Sequence, residues 1–314
     1  MTLVRTQRSY FGYEQNIGLS NGAIELVLAT EFGPRVMFLG RPSGPNVFAE
    51  ISPHAQSNPT PYGDDWHIYG GHRLWYAPEH PEHSYYPDNA PVRVEPTARG
   101  ARLTQAPESD TGIEKSIEVT LAEADAHVVV QHTLRNCGQQ TRELAPWALS
   151  AMAQGGRAIF AHSRFRPHPD ALAPARPLVL WPFTRMNDSR FTWGDRYFFL
   201  RQDASATAPQ KIGFYDDRGY LAYALGSQLF VKCHTPRPGL HADLGCNAEA
   251  FTNELFLELE TLGPLTKLAP GQQVEHVEHW FLFQDVQLGD SERDIERALS
   301  PLLARVGAVF ALPA

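Results

Sequence analysis

Ile113-Glu-Lys-Ser-Ile-Glu-Val-Thr-Leu121 alternates with period two over nine residues. Ile113, Lys115, Ile117, Val119 and Leu121 fall on one face, and Glu114, Ser116, Glu118 and Thr120 on the other. That is the pattern of an antiparallel strand with one side on a core and the other in water. Its neighbours repeat it. Val92-Arg-Val-Glu95, Ala101-Arg-Leu-Thr104, His127–Leu134 and Arg142–Met152 read as strands, separated by turn residues at the spacing of an antiparallel sandwich.

Working outward, Asn21-Gly22 is a hairpin signal between Ile17–Leu19 and Ala23–Ala29, and Gly33-Pro34 turns the chain into Arg35–Leu39. Towards the C-terminus, strands are expected at Lys211–Tyr215, Tyr220–Ala224, Gln228–His234, Ala248–Asn253, Glu254–Leu262 and Val274–Phe283, with Pro270-Gly271 turning between the last two. A helix is expected only near the end, where Ser291 caps with Asp294 three residues on and Ser300-Pro301 ends it. No internal repeat and no long linker divides the chain. The expectation is a single all-β domain over residues 1–314, a large antiparallel β-sandwich with a short C-terminal helix.

The 314 residues are 43% hydrophobic and 20% charged, the composition of a folded chain, with a formal charge of −8. The 27 Lys and Arg are scattered singly and form no stripe, which excludes nucleic acid as a partner. No run approaches the roughly eighteen apolar residues of a membrane span. Residues 1–10 lack the apolar core of a secretory signal, so the cytoplasm is the expected location. Three cysteines, Cys137, Cys233 and Cys246, are an odd number at no metal-ligand spacing.

Two stretches carry chemistry. The first is Gly-Gly-His-Arg-Leu-Trp-Tyr-Ala-Pro-Glu-His-Pro-Glu-His-Ser-Tyr-Tyr-Pro-Asp-Asn at 70–89. Its prolines, Pro78, Pro81 and Pro87, read as a stiff irregular loop, not as a central strand. It is loaded with His72, Arg73, Trp75, Glu79, His80, His83, Tyr85, Tyr86 and Asn89, the composition of a loop that builds a ligand site. The second is Asn247–Gly271, in which Glu254, Phe256, Glu258 and Glu260 share one strand face. Carboxylates so placed repel one another unless solvent, cations, protons or ligand hydroxyls intervene. Such a face is either a solvated surface or a sugar-binding one, where carboxylates take hydroxyl hydrogen bonds and the ring covers a pyranose C–H face. His80-Pro-Glu-His83 could supply metal ligands, but nothing identifies a complete set, so no metal and no cofactor are expected. There is no Gly-x-Ser-x-Gly elbow and no phosphate-binding glycine loop.

Gly-Gly-His-Arg-Leu-Trp at 70–75, the strand end Leu134–Gly138, and Leu257–Leu265 running into Leu268-Ala-Pro-Gly271 resemble the galactose mutarotase-like (aldose 1-epimerase) superfamily. Within it the chain is most similar to the branch carrying domain of unknown function 4380. The resemblance implies a twisted β-sandwich with a concave carbohydrate-binding face. It also implies a late Glu that takes the anomeric hydroxyl proton and a His that protonates the ring oxygen. Carried over, Glu260 and His72 are the catalytic candidates, and Arg73, Trp75, Glu79, Asn89, His234, Glu249 and Glu258 the substrate-binding ones. The ligand would be a small-molecule sugar or oligosaccharide. The chain departs from the pattern at Trp147–Met152, where the superfamily usually has a His before an aromatic. Either His72 supplies the acid, or another His such as His234 does, or the protein binds sugars without turning them over. A lyase or hydrolase on the same scaffold is a further alternative, with Glu79 facing Glu258 or Glu260.

Overall fold

The computed structural model describes residues 3–53 and 55–313. Among these residues the chain forms two large antiparallel sheets and a two-stranded ladder. The first sheet has eleven strands. Its centre runs, neighbour to neighbour, through His72–Ala77, Arg142–Met152, Leu257–Leu262, Ala248–Thr252 and Gln210–Phe214. The second has ten, with Gln228–His234, Gln273–Phe283, His127–Asn136 and Ile113–Leu121 at its centre. The alternation expected of Ile113–Leu121 is present residue by residue: its odd positions are buried and its even positions half-buried. Lys115 goes inward with the apolar residues because Glu108 meets its ammonium at 2.6 Å, over the Tyr76 ring.

The main core lies between the sheets. Leu26, Val36, Leu74, Leu257 and Leu259 of the first pack against Ile117, Val130, Phe230 and Trp280 of the second. Outside the second sheet, Ile295, Leu299 and Val306 of the C-terminal helix cover Ile159, Val231 and Phe281. Ser291 caps that helix, as expected, by accepting from the Asp294 N–H. The helix does not stop at Pro301 but runs Glu292–Gly307 through it. Val306 packs beyond the proline, so continuing the apolar stripe outweighs the one backbone bond that proline removes.

The loop expected over Gly70–Asn89 is corrected in its first part. His72–Ala77 is a fully buried central strand, paired with Arg142–Met152 on one side and Arg35–Gly40 on the other. All three prolines lie beyond Ala77, so none interrupts the ladder. The irregular part starts at Pro78.

Between the sheets sits a buried ion pair. Lys232 Nζ lies 2.9 Å from Glu278 Oε1 and donates to the carbonyls of Ala148 and Leu259 and to the Ser150 hydroxyl. Glu278 also accepts from Trp280 Nε1 and Thr261 Oγ1. Removing one partner of such a pair strands a charge, whereas replacing both with apolar groups does not. Lys232→Met is expected to cost about 3–5 kcal/mol in urea unfolding, and Lys232→Met with Glu278→Leu to recover most of that loss.

Candidate functional site

The outer face of the first sheet holds a row of directly opposed residues: Arg73, Leu149, Glu260, Glu249 and Gly213. Opposed residues share a face, so Arg73 and the two carboxylates come to one side although up to 187 positions separate them in sequence. Residues two along each strand join them: Trp75, Trp147, Glu258, Phe251 and Lys211. Gly213 is required here. A Cβ at that position would meet Cys246 Sγ at 2.5 Å and the Trp181 ring at 3.2 Å.

These side chains build a cleft of about 280 Å³. Its walls are aromatic, chiefly Trp66, Trp75, Tyr85, Trp147, Trp181 and Phe256. Trp75 is at the centre, with ring centroids 5.6 Å from Trp66, 5.2 Å from Tyr85 and 5.4 Å from Trp147. The charged lining is Arg73, Glu79, Lys211 and Glu258. Arg73 pairs with Glu258 at 2.9 Å and lies over the Trp75 ring. Glu79, at the exposed mouth, accepts from the Tyr85 hydroxyl at 2.7 Å.

Lys211 forms the link between cleft and sheet. Its ammonium lies 2.8 Å from Glu249 and 3.4 Å from Glu260, between the rings of Trp147 and Trp181. Burial disfavours its charge, but the Glu260 and Glu249 carboxylates outweigh burial and hold it above the ordinary lysine range. Burial pushes Glu249 well above the carboxylate range against the opposing pull of Lys211. Burial likewise pushes Glu260 up to about 7, with Lys211 and the Trp147 N–H opposing and Glu258 adding to the rise. Glu260 Oε2 accepts from Trp147 Nε1 at 2.8 Å, while Oε1 is buried with no hydrogen-bond partner among the described residues. The N–H groups of Trp66 Nε1 and Arg73 Nε are likewise buried and unpartnered. Unmatched donors on two residues that line one aromatic cleft, with an unmatched acceptor beneath it, point to a polar ligand that supplies the missing partners.

Of the residues singled out from the sequence, Arg73, Trp75, Glu79 and Glu258 line the cleft, and Glu260 and Glu249 lie directly beneath it. Asn89 does not join them: its amide braces Asp64 and the Asp65 carbonyl, and its oxygen accepts from Tyr69. His234 belongs to the second sheet, where it bonds Asp216 at 2.9 Å. His72 shares a strand with Arg73 but projects from the opposite face, fully buried between the sheets. Its hydrogen bonds define its state. His132 Nδ1 is 2.9 Å from the His276 carbonyl, which can only accept, so that nitrogen carries the proton. His132 Nε2 therefore accepts from His72 Nε2 at 2.7 Å, and His72 Nδ1 accepts from the Ser150 hydroxyl at 2.8 Å. Burial, with Lys232 adding, holds the His72 imidazole neutral far below its ordinary pKa. His72, His132 and Glu278 bring ligand atoms within 4.8 Å of one another. Their lone pairs are already taken by this chain and by the Lys232 pair, so the set does not fit a cation. The residues that sequence reasoning missed are Lys211, Trp66, Trp147 and Trp181. The single lysine on an apolar strand and the isolated tryptophans give no local signal, because only strand pairing brings them together.

No protein-family model matches the chain, and no curated protein matches it. Solved structures do share its fold. A galactose mutarotase-like protein from Lactobacillus casei is 10% identical, with 85% of this chain covering 100% of that one at a TM-score of 0.54. A galactose mutarotase-like protein from Clostridium acetobutylicum is 8% identical, covering 90% of this chain and 99% of that one at 0.51. A TPR-domain containing protein from Parabacteroides distasonis is 14% identical at a TM-score of 0.57; the match covers 88% of this chain and only about half, 49%, of that one. At such identities the likeness is one of fold, and the fold is the galactose mutarotase-like β-sandwich.

Glu260 binds its proton more tightly folded, at about 7, than unfolded, near 4.5. Between these values the folded state holds the extra proton, so its contribution to stability falls as pH rises through that window. Glu260→Gln is expected to flatten this slope, by up to about 3 kcal/mol across the window, in urea titrations at pH steps from 4.5 to 7.5.

Proposed function

We propose that the cleft binds a sugar ring and that the protein interconverts its anomers in the manner of an aldose 1-epimerase, with Glu260 as base and Lys211 as acid. The observation that carries this reading is the contact between them: a carboxylate raised to about 7 with one oxygen unpartnered, 3.4 Å from an ammonium that lines an aromatic cleft. The anomeric hydroxyl and the ring oxygen sit on one carbon, so neighbouring acid and base can serve both. Glu260 takes the hydroxyl proton as Lys211 turns its ammonium to the ring oxygen and protonates it. The carbon–ring oxygen bond breaks to leave an aldehyde. After the aldehyde rotates, Lys211 removes the proton from the chain hydroxyl that attacks it, and Glu260 returns its own to the new anomeric oxygen. Neutralising Glu260 removes part of the charge that holds the Lys211 proton, and proton transfers of this kind are worth about 10²–10⁴-fold. Lys211 takes the place of the superfamily's histidine, since His72 lies across the sheet.

Arg73 and Glu258, side by side, give and accept hydrogen bonds to vicinal hydroxyls, and Trp75 stacks on the ring. Kinship with the branch carrying domain of unknown function 4380 and a bacterial origin belong to the same proposal, resting on the motifs at 70–75, 134–138 and 257–271, and a cytoplasmic setting on the pattern of residues 1–10 and the three cysteines. A second reading, binding without turnover, is favoured by one feature: Glu260 is fully covered while Glu258 is tied to Arg73.

Proton-exchange NMR across a panel of aldoses is expected to show faster anomer interconversion than buffer. The rate should rise with pH through about 7 as Glu260 ionises, and Glu260→Gln should lose about 10²–10⁴-fold. Binding by calorimetry with no rate above buffer would establish the second reading, and neither binding nor rate would end both. Trp75→Ala is expected to weaken binding about tenfold, the scale of one aromatic contact.

A further inference from the structure

The basic residues that the sequence scatters are partly gathered by the fold, in cavities that share no lining residue with the sugar cleft. Arg164, Arg166, Arg176 and Arg218 line one cavity of about 590 Å³, formed by the segment after the Arg157–Ala161 strand and the turn before Tyr220–Leu225. A second cavity of about 600 Å³ shares Arg164, Arg176 and Arg218 and extends past Arg196 to the C-terminal helix. Arg176 is committed to the carbonyls of Ser163 and Asp195. The guanidinium groups of Arg164, Arg166 and Arg218 have no hydrogen-bond or ion-pair partner among the described residues.

Arg164, Arg166 and Arg176 are exposed and Arg218 is half-buried, so their guanidinium groups are open to a ligand. Four arginines line the first cavity with Asp217 as its sole carboxylate residue. The chain has 35 acidic residues available. In the second cavity Glu296 is engaged by the hydroxyls of Tyr197 and Ser300, and it meets Arg196 only at 3.9 Å. Guanidinium forks bind carboxylates and phosphates alike, two N–H groups to two oxygens, and a phosphate has oxygens and charge enough to take more than one fork at once. The same cavity carries Phe165 and Leu172, each 78% exposed. An apolar edge beside a cationic floor fits an anion with an organic body rather than a bare ion.

We propose that this arginine cavity is a binding site for a small phosphate ester, the guanidinium groups holding the phosphate and Phe165 and Leu172 the organic part. The site is separate from the sugar cleft and does not depend on the reading of that cleft.

The test is calorimetry on the full chain at low salt, with phenyl phosphate, inorganic phosphate and phenol as probes. Phenyl phosphate is expected to bind, more tightly than inorganic phosphate, and phenol not to bind. Arg164→Gln with Arg218→Gln, both outside the sheets' core, should weaken phenyl phosphate at least about tenfold, as loss of two charge-assisted forks implies. Arg93→Gln, an exposed arginine on the far edge strand, controls for net charge and should leave binding unchanged. The proposal is overturned by no binding to the wild type, by equal loss in Arg93→Gln, or by phenol binding as well as its phosphate. Loss confined to Lys211→Met would place the anion in the cleft and overturn it too.

Discussion

The Lys211 ammonium, clasped by Glu249 and Glu260 between two indole rings, is the interaction on which the candidate site depends. Glu249 and Glu260 stand directly opposite each other on neighbouring strands, where like charges destabilise a sheet. Lys211 resolves the conflict for one negative charge, and protonation must resolve it for the other. Burial raises the pKa of both carboxylates, so the pair takes up that proton beside a cation. Arg73 does the same for Glu258 a few ångströms away. The four buried charges of the floor, with tilted and edge-on tryptophans around them, make a surface that is dry enough to strengthen each polar contact and still lacks partners for several of them.

A single strand divides two kinds of chemistry. From His72–Ala77, Arg73 and Trp75 face the cleft, while His72 enters the space between the sheets and joins a chain of neutral imidazoles ending on a backbone carbonyl. Behind the carboxylates, Lys232 holds the carbonyls of Ala148 and Leu259, one on each of the strands that carry Trp147 and Glu260. Buried ion pairs of this sort contribute little net stability.

The fold was legible because period-two alternation is a local signal: Ile113–Leu121 announces both its strand state and its buried face. The same rule put Glu258 and Glu260 on one side of their strand, and the structure has them there. The prolines after Ala77 make His72–Ala77 read as part of a loop, whereas alternation within those six residues separates His72 from Arg73. Lys211, Trp66, Trp147 and Trp181 were beyond reach for another reason. Which distant strands become neighbours is decided by packing of the entire sandwich, and no local pattern records it. The helix continuing through Pro301 is a case of tertiary contact overriding a local stop signal.

The most direct test of the central claim is a crystal structure of the protein soaked with a mixture of monosaccharides. The account predicts a pyranose ring against Trp75, its hydroxyls on Arg73 and Glu258, and its anomeric carbon beside Lys211 and Glu260. A sugar bound elsewhere, or an empty cleft with Lys211 still clasped by both carboxylates at saturating sugar, would contradict it.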